Sequence, residues 1–186
     1  MELIEALYTR RAIRSFEDKQ VDKETISTLI HAAIQAPSAM NSQPWAFAVV
    51  QDRNLLRDYS TRAKTYALST LGNEPHAREW ESILSRPDYD IFHGAPTLII
   101  ICAKPDGLVP AEDCSLAAAN LMLAAHAKGL GTCPIGFARL WLNLPEVKSE
   151  LGIPANYSPV FPVVVGYQKG PAHPVERRAP EVLFWR

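Results

Sequence analysis

Ala36-Pro-Ser-Ala-Met-Asn-Ser-Gln-Pro-Trp-Ala-Phe-Ala-Val-Val50 is the stretch around which the rest of the chain is organised. Pro37 disfavours helical geometry at Ala36 and so ends the helical run before it. Trp45–Val50 is short, wholly apolar and partly β-branched, which predicts a buried strand. A polar loop lies between them. Ser38, Asn41, Ser42 and Gln43 both donate and accept hydrogen bonds, which suits the edge of a heteroaromatic ring or a polyhydroxy chain better than a lone phosphate. Ser, Asn and Pro also build ordinary turns for local reasons, and the loop taken alone leaves both readings open.

Working outward, Asp22 can cap a helix whose apolar positions Ile26, Leu29, Ile30, Ala33 and Ile34 keep helical spacing up to Pro37. Before it, Glu2–Tyr8 has a short helical pattern running into Arg10-Arg11-Ala12-Ile13-Arg14-Ser15-Phe16. After the strand, Asn54–Ser69 is helical and Gly72–Pro75 breaks it, with a further short helix around Trp80, Ile83 and Leu84. Ser85–Gly94 is expected to be a mobile loop. Thr97–Cys102 is continuously apolar, so both faces of that strand should be covered. Asp113–Lys128, rich in Ala and Leu around most of its circumference, predicts a central buried helix closed by Gly129. A brief strand and turn follow in Leu130–Gly136, then a small helix from Pro145 to near Gly152 and a last core strand over Val160–Tyr167. Residues 168–186 form an extended, Pro-rich arm that carries Arg177 and Arg178 and ends in the apolar Val182–Trp185. Exposed Leu, Phe and Trp are out of place on a free tail, so the arm is expected to add to a partner subunit; folding back on its own domain is the alternative. The whole is one α+β domain, residues 1–186, without internal repeats.

The composition excludes several classes. At 186 residues and 47% hydrophobic, the chain can bury a sizeable core, and 19 Lys plus Arg against 20 Asp plus Glu give a formal charge of -1. No general basic field argues for nucleic acid or an anionic membrane. Cys102, Cys114 and Cys133 form no CxxC pair. With no charged-then-apolar leader and no apolar run near the roughly 20 residues of a membrane helix, the expected location is the cytoplasm.

Nucleophile and metal patterns are missing. There is no GxSxG, Cys133 has no base beside it, and His31, His76, His93, His126 and His173 lack metal-ligand spacing. Gly129-Leu-Gly131-Thr-Cys-Pro-Ile-Gly136 spaces its glycines as GxGxxxxG after a helix, so it is not a dinucleotide fingerprint. Its bare backbone can approach a flat ligand, with amides near Ile135 and Gly136 free to donate; equally, it can simply end a helix and turn the chain. Arg10, Arg11 and Arg14 at one end and Arg177 and Arg178 at the other form a phosphate clamp if the ends meet, or else remain solvated surface charges. Polar ring-edge groups, an arginine clamp and no reactive side chain together suggest that the chemistry belongs to a bound cofactor.

Across essentially its whole length the sequence resembles the nitroreductase family of FMN enzymes. The landmarks come in the family's order: Arg10–Phe16, Ala36–Trp45, Gly94-Ala-Pro96 leading into a strand, Gly129–Gly136, and Gly166-Tyr167 followed by the arm with Arg178 before Pro180. The Pro-Ser-Ala-Met-Asn-Ser-Gln-Pro-Trp string is the most specific of them. The resemblance implies a three-layer α/β/α sandwich with a mostly antiparallel sheet, a homodimer with the C-terminal arm laid onto the partner, and FMN at two interface sites. It implies that Arg10 and Arg14 with Arg178 hold the phosphate and pyrimidine edge, that Arg11 contributes through its backbone, and that Arg177 is also a cofactor-binding residue. Ile135 and Gly136 would lie along the ring, with a backbone amide near N5, Pro37, Ser38, Asn41 and Gln43 would come from the other subunit, and Ala12, Ala39 and Pro134 are further cofactor-binding positions. Ala12 stands where the family usually has Ser or Thr, so one hydrogen bond worth about 0.5–1.5 kcal/mol is absent. Glu176 stands where a basic residue is common.

The implied activity is ping-pong transfer of hydride from NADH or NADPH to flavin N5 and on to a nitroaromatic, quinone or similar small-molecule acceptor. Two alternatives share the fold: a specialised flavin enzyme such as a dehalogenase or ring-modifying oxidase, and a flavin-binding redox module with little turnover. The segments Thr61–Ser85 and Lys104–Glu112 are expected to roof the pocket and set acceptor choice.

Overall fold

The central strand explains the layering. In the computed structural model, which describes residues 1–72, 76–172 and 174–186, β2 (Thr97–Ala103) is buried along its whole length. Its side chains alternate between two cores, as strand geometry requires: Leu98, Ile100 and Cys102 enter one, Ile99, Ile101 and Ala103 the other. β1 (Trp45–Val50), β3 (Leu130–Pro134) and β4 (Ser158–Tyr167) complete a four-stranded sheet of order β1-β2-β4-β3 in which every ladder is antiparallel.

One face is covered by α2 (Lys23–Ala33) and α5 (Pro110–Ala127), through Ile26, Leu29 and Ala33 on the first and Ala117, Ala118 and Leu121 on the second. The other is covered by α3 (Arg53–Thr70), α4 (Ala77–Leu84), α6 (Arg139–Leu142) and α7 (Pro145–Glu150), with Tyr59, Leu84, Trp141 and Val147 in its core. This is the expected three-layer arrangement. Asp22 accepts from the Thr25 amide at 2.7 Å and so caps α2; Asp52 caps α3 through the Asn54 and Leu55 amides.

Two local expectations are corrected. α5 begins at Pro110, three residues before Asp113, because proline fits the first helical position, where no amide hydrogen is needed. Ser85–Gly94 is a loop but an anchored one: Ile91 and Phe92 are each 1% exposed, and the Ile91 amide donates to buried Ser60 Oγ at 3.0 Å. Beyond Gly72 the expected helix break lies outside the described residues, as does His173.

The N-terminal segment positions the site. After α1 (Leu3–Thr9) the chain runs beside the β3 edge, where the Ile13 amide donates to Thr132 O at 2.9 Å and Ala12 pairs with Thr132. It then meets the start of the arm, with the Lys169 amide donating to Ser15 O at 3.0 Å. Such close approach needs glycine: a Cβ on Gly131 would lie 2.8 Å from Ile13, and one on Gly166 would lie 2.6 Å from Pro96. The two chain ends therefore meet in space. The tail does not fold back on its own domain, since Leu183 is 83% and Trp185 89% exposed.

Candidate functional site

The meeting of the ends creates a cationic cleft of about 490 Å³ lined by Arg10, Arg11, Arg14, Lys169 and Arg177, with no carboxylate among its described lining residues. Arg10 sits where α1 ends, half-buried, and Arg11 Nη1 donates to the Tyr8 and Arg10 carbonyls at 2.8 and 2.7 Å. Arg10 Nη1 and Arg11 Nε are buried with no hydrogen-bond partner among the described residues. Burial first, then the charges of Arg177 and Arg11, lower the Arg10 pKa from its ordinary value. Crowded guanidinium donors without acceptors are costly unless an anion completes them, and phosphate oxygens match that fork geometry. Arg178 is exposed on the arm and does not line the cleft.

Arg14 also borders a second cleft of about 670 Å³, so the two cavities meet along one side chain. Its floor is the end of β3 and the following turn, with Cys133, Pro134, Ile135 and Gly136. A Cβ on Gly136 would meet nothing within 4 Å, so the backbone there is open to a flat ligand. Of the two amides expected to be free, the Ile135 N–H is committed to Pro162 O at 2.9 Å; the Gly136 N–H has no partner among the described residues. Trp80 from α4 and Phe137 form one wall, edge to face at 5.9 Å, with Tyr89 and His93 on another. Thus α3 and α4 do roof the cleft, as expected of Thr61–Ser85, but Lys104–Glu112 does not line it.

His93 is a site residue that pattern reading missed. It is half-buried with φ +57°, a left-handed geometry unusual outside glycine. Asp90 holds that turn by accepting the Phe92 and Gly94 amides at 2.8 and 2.7 Å. Burial, then Arg14, lower the imidazole pKa. Burial raises the Cys133 thiol pKa, against the opposing charges of Arg14 and Arg10, as it raises those of Cys102 (to about 11) and Cys114 (to about 12), which disfavours the thiolate. No group of three metal-ligating side chains occurs among the described residues.

Pro37, Ser38, Ala39, Asn41 and Gln43 line neither cleft of their own subunit. Their loop contains a 3-10 turn, Ala39–Asn41, and Met40, Asn41 and, beyond the turn, Gln43 all have positive φ (+53°, +53°, +47°). Each such non-glycine residue costs roughly 1 kcal/mol or more, so the conformation needs anchoring. One anchor is external, the Ala39 amide donating to both Asp113 oxygens (3.2 and 3.3 Å); two bonds lie within the loop, from the Gln43 amide to Ser38 Oγ (3.0 Å) and from Gln43 Nε2 to Asn41 Oδ1 (3.1 Å). Asn41 and Gln43 stand exposed at its tip.

Comparison with known proteins agrees with this fold: residues 7–167 match the nitroreductase family model. The chain belongs to the nitroreductase family. A protein of Archaeoglobus fulgidus, provisionally named an NADH dehydrogenase/NAD(P)H nitroreductase, is 32% identical over 173 residues, covering 90% of this chain and 86% of its own. An iodotyrosine deiodinase from Thermotoga neapolitana is 28% identical over 175 residues, covering 85% and 93%. Among solved structures, a nitroreductase with bound FMN from Bacteroides fragilis NCTC 9343 has a TM-score of 0.82 at 27% identity, covering 99% of this chain and 97% of its own. Within the nitroreductase family, then, the sequence landmarks divide into three groups in a single subunit. Arg10, Arg11, Ala12, Arg14 and Arg177 converge on one cleft, Pro134, Ile135 and Gly136 on its neighbour, and the Pro37–Gln43 loop stands apart from both.

Proposed function

We propose that the protein is an FMN-dependent oxidoreductase that takes hydride from NADH or NADPH and reduces nitroaromatics, quinones or similar electrophilic acceptors. The observation that carries this reading is the pair of buried guanidinium nitrogens, Arg10 Nη1 and Arg11 Nε, without a partner among the described residues, in a cleft that shares Arg14 with a roomier aromatic one. A ligand with a phosphate at one end and a flat ring at the other fits that sequence of surfaces. When bound, the flavin supplies the hydride-accepting and hydride-donating chemistry.

The chain's own residues bind and orient. Arg10, Arg11, Arg14 and Arg177 would neutralise the phosphate, with the positive field of Arg14 extending toward the ring, and Pro134, Ile135 and Gly136 would lie along it. Pro37, Ser38, Ala39, Asn41 and Gln43 of the partner subunit would reach the ring edge and ribityl chain, in a homodimer whose arms cross onto the partner beyond Arg177. Trp80, Phe137 and Tyr89 would exclude water and hold a flat acceptor. Among the described residues no helix is long and apolar enough to cross a membrane.

Purified protein should be yellow and should oxidise NADH or NADPH faster when a nitroaromatic is added. A colourless preparation that takes up no FMN would refute the reading. The aromatic wall and the likeness to the Thermotoga deiodinase favour a second reading, reductive dehalogenation of an aromatic substrate in the same cleft. Faster turnover of a halogenated phenol than of any nitroaromatic or quinone would select it, and flavin binding without steady-state turnover would leave a redox module.

A further inference from the structure

Asp113 is a carboxylate only 3% exposed, in the first turns of α5 on the face of the sheet opposite the aromatic cleft. Nothing in the hydride chemistry uses it. Its two oxygens face one donor, the Ala39 amide, 74 residues away in sequence. That amide opens the loop in which Met40, Asn41 and Gln43 are held at positive φ, and no glycine is present there to relieve the backbone. The loop's exit is fixed separately. Pro44 O accepts the Lys104 amide at 2.7 Å, and Pro44 packs on Gly107, where any Cβ would come within 2.9 Å. Of the two ends of this strained loop, the exit is tied to the sheet by backbone, whereas the entry is tied by a single buried side chain.

We infer that Asp113 is a positioning residue for the Ser38–Gln43 loop, and that through this loop each subunit's Asp113 sets cofactor affinity in the site it shares with its partner. The inference rests on the proposed function, in which the loop serves the partner's flavin. A buried charge aimed at a backbone amide is strongly directional, because leaving it unpaired costs more than the bond itself gains. Releasing it lets Met40, Asn41 and Gln43 relax toward ordinary backbone geometry and withdraws the Asn41 and Gln43 amides from the ring edge. The clamp arginines and the aromatic cleft would be unchanged.

The test titrates FMN into apoprotein of wild type, Asp113→Asn and Asp113→Ala, following quenching of flavin fluorescence, with far-UV circular dichroism and sedimentation to check fold and dimer. Asn keeps an oxygen that accepts the Ala39 amide and should stay close to wild type, while Ala should weaken FMN by about tenfold to a hundredfold. If Asp113→Ala does not assemble, Asp113→Ser, whose hydroxyl is too short to reach, gives the same comparison. Equal affinity in wild type and the assembled Ala or Ser variant overturns the inference.

Mixed dimers separate this result from failure of the underlying reading. An Asp113→Ala subunit paired with an Arg10→Ala subunit has one site with both defects and one with neither. It should therefore bind one FMN per dimer at wild-type affinity, although neither parent homodimer does. If Asp113→Ala homodimers are weak but mixed dimers recover nothing, Asp113 still positions the loop and the sharing of sites between subunits is what fails.

Discussion

Arg10 lies where α1 gives out, and its Nη1 is sealed from solvent without an acceptor among the described residues. Hydrogen bonds to charged groups are worth about 1.5–3 kcal/mol, so Arg10→Ala should raise the FMN dissociation constant by about tenfold to a hundredfold in a fluorescence titration, with the melting temperature of the apoprotein unchanged or raised. A histidine offers a second test at this scale. Burial and Arg14 hold the His93 pKa below the ordinary 6.5, while Asp90 opposes them. The folded state thus binds fewer protons than the unfolded chain, and stability rises with pH across that window. The contribution is complete above the unfolded value and is lost as pH falls through the lowered folded one. Thermal melts between about pH 5 and 7.5 should accordingly show a weaker loss of stability on acidification in His93→Phe than in wild type. Arg10 could be nominated from sequence because three arginines crowd a five-residue window; His93 could not, because what marks it is a backbone angle and a cavity, neither of which leaves a trace in composition.

Elements were legible wherever local chemistry decides. Asp22 and Pro37 bracket α2, Gly129 closes α5, and the unbroken apolar run of β2 announces a strand covered on both faces. What escaped was set by distant contacts: α6 is a single turn packed on β4, and the Ser85–Gly94 loop is stitched down by Ser60 and by Lys64, whose ammonium reaches the Arg86 and Tyr89 carbonyls at 3.1 Å. The strip from Ala12 to Glu17 belongs to the same class, since its position depends on Gly131 and Gly166 in strands more than a hundred residues away. Gly131→Ala would place a methyl 2.8 Å from Ile13 Cβ and Cγ1. Overpacking of that kind typically costs 1–3 kcal/mol, so unfolding in urea should shift by about that much. Because the same strip carries Arg10 and Arg14, FMN affinity should fall in the variant even below the midpoint of unfolding.

For the molecule as a whole, the single subunit presents two incomplete surfaces. Its clamp and aromatic cleft lack the polar loop, which stands elsewhere; its tail exposes Leu183, Phe184 and Trp185, and α1 leaves Leu3 and Ile4 more than half exposed. Both are resolved together if two copies exchange arms. Deleting residues 181–186 should therefore shift sedimentation toward the monomer and lower the flavin content of the purified protein in parallel. The most direct measurement compares FMN with riboflavin, which differ only by the phosphate, in titrations of wild-type and Arg10→Ala apoprotein. Wild type should bind FMN far more tightly than riboflavin, and the substitution should remove most of that preference by weakening FMN alone. Equal affinity of the wild type for the two, or a preference for FMN that survives Arg10→Ala intact, would contradict the placement of the phosphate between the two ends of the chain.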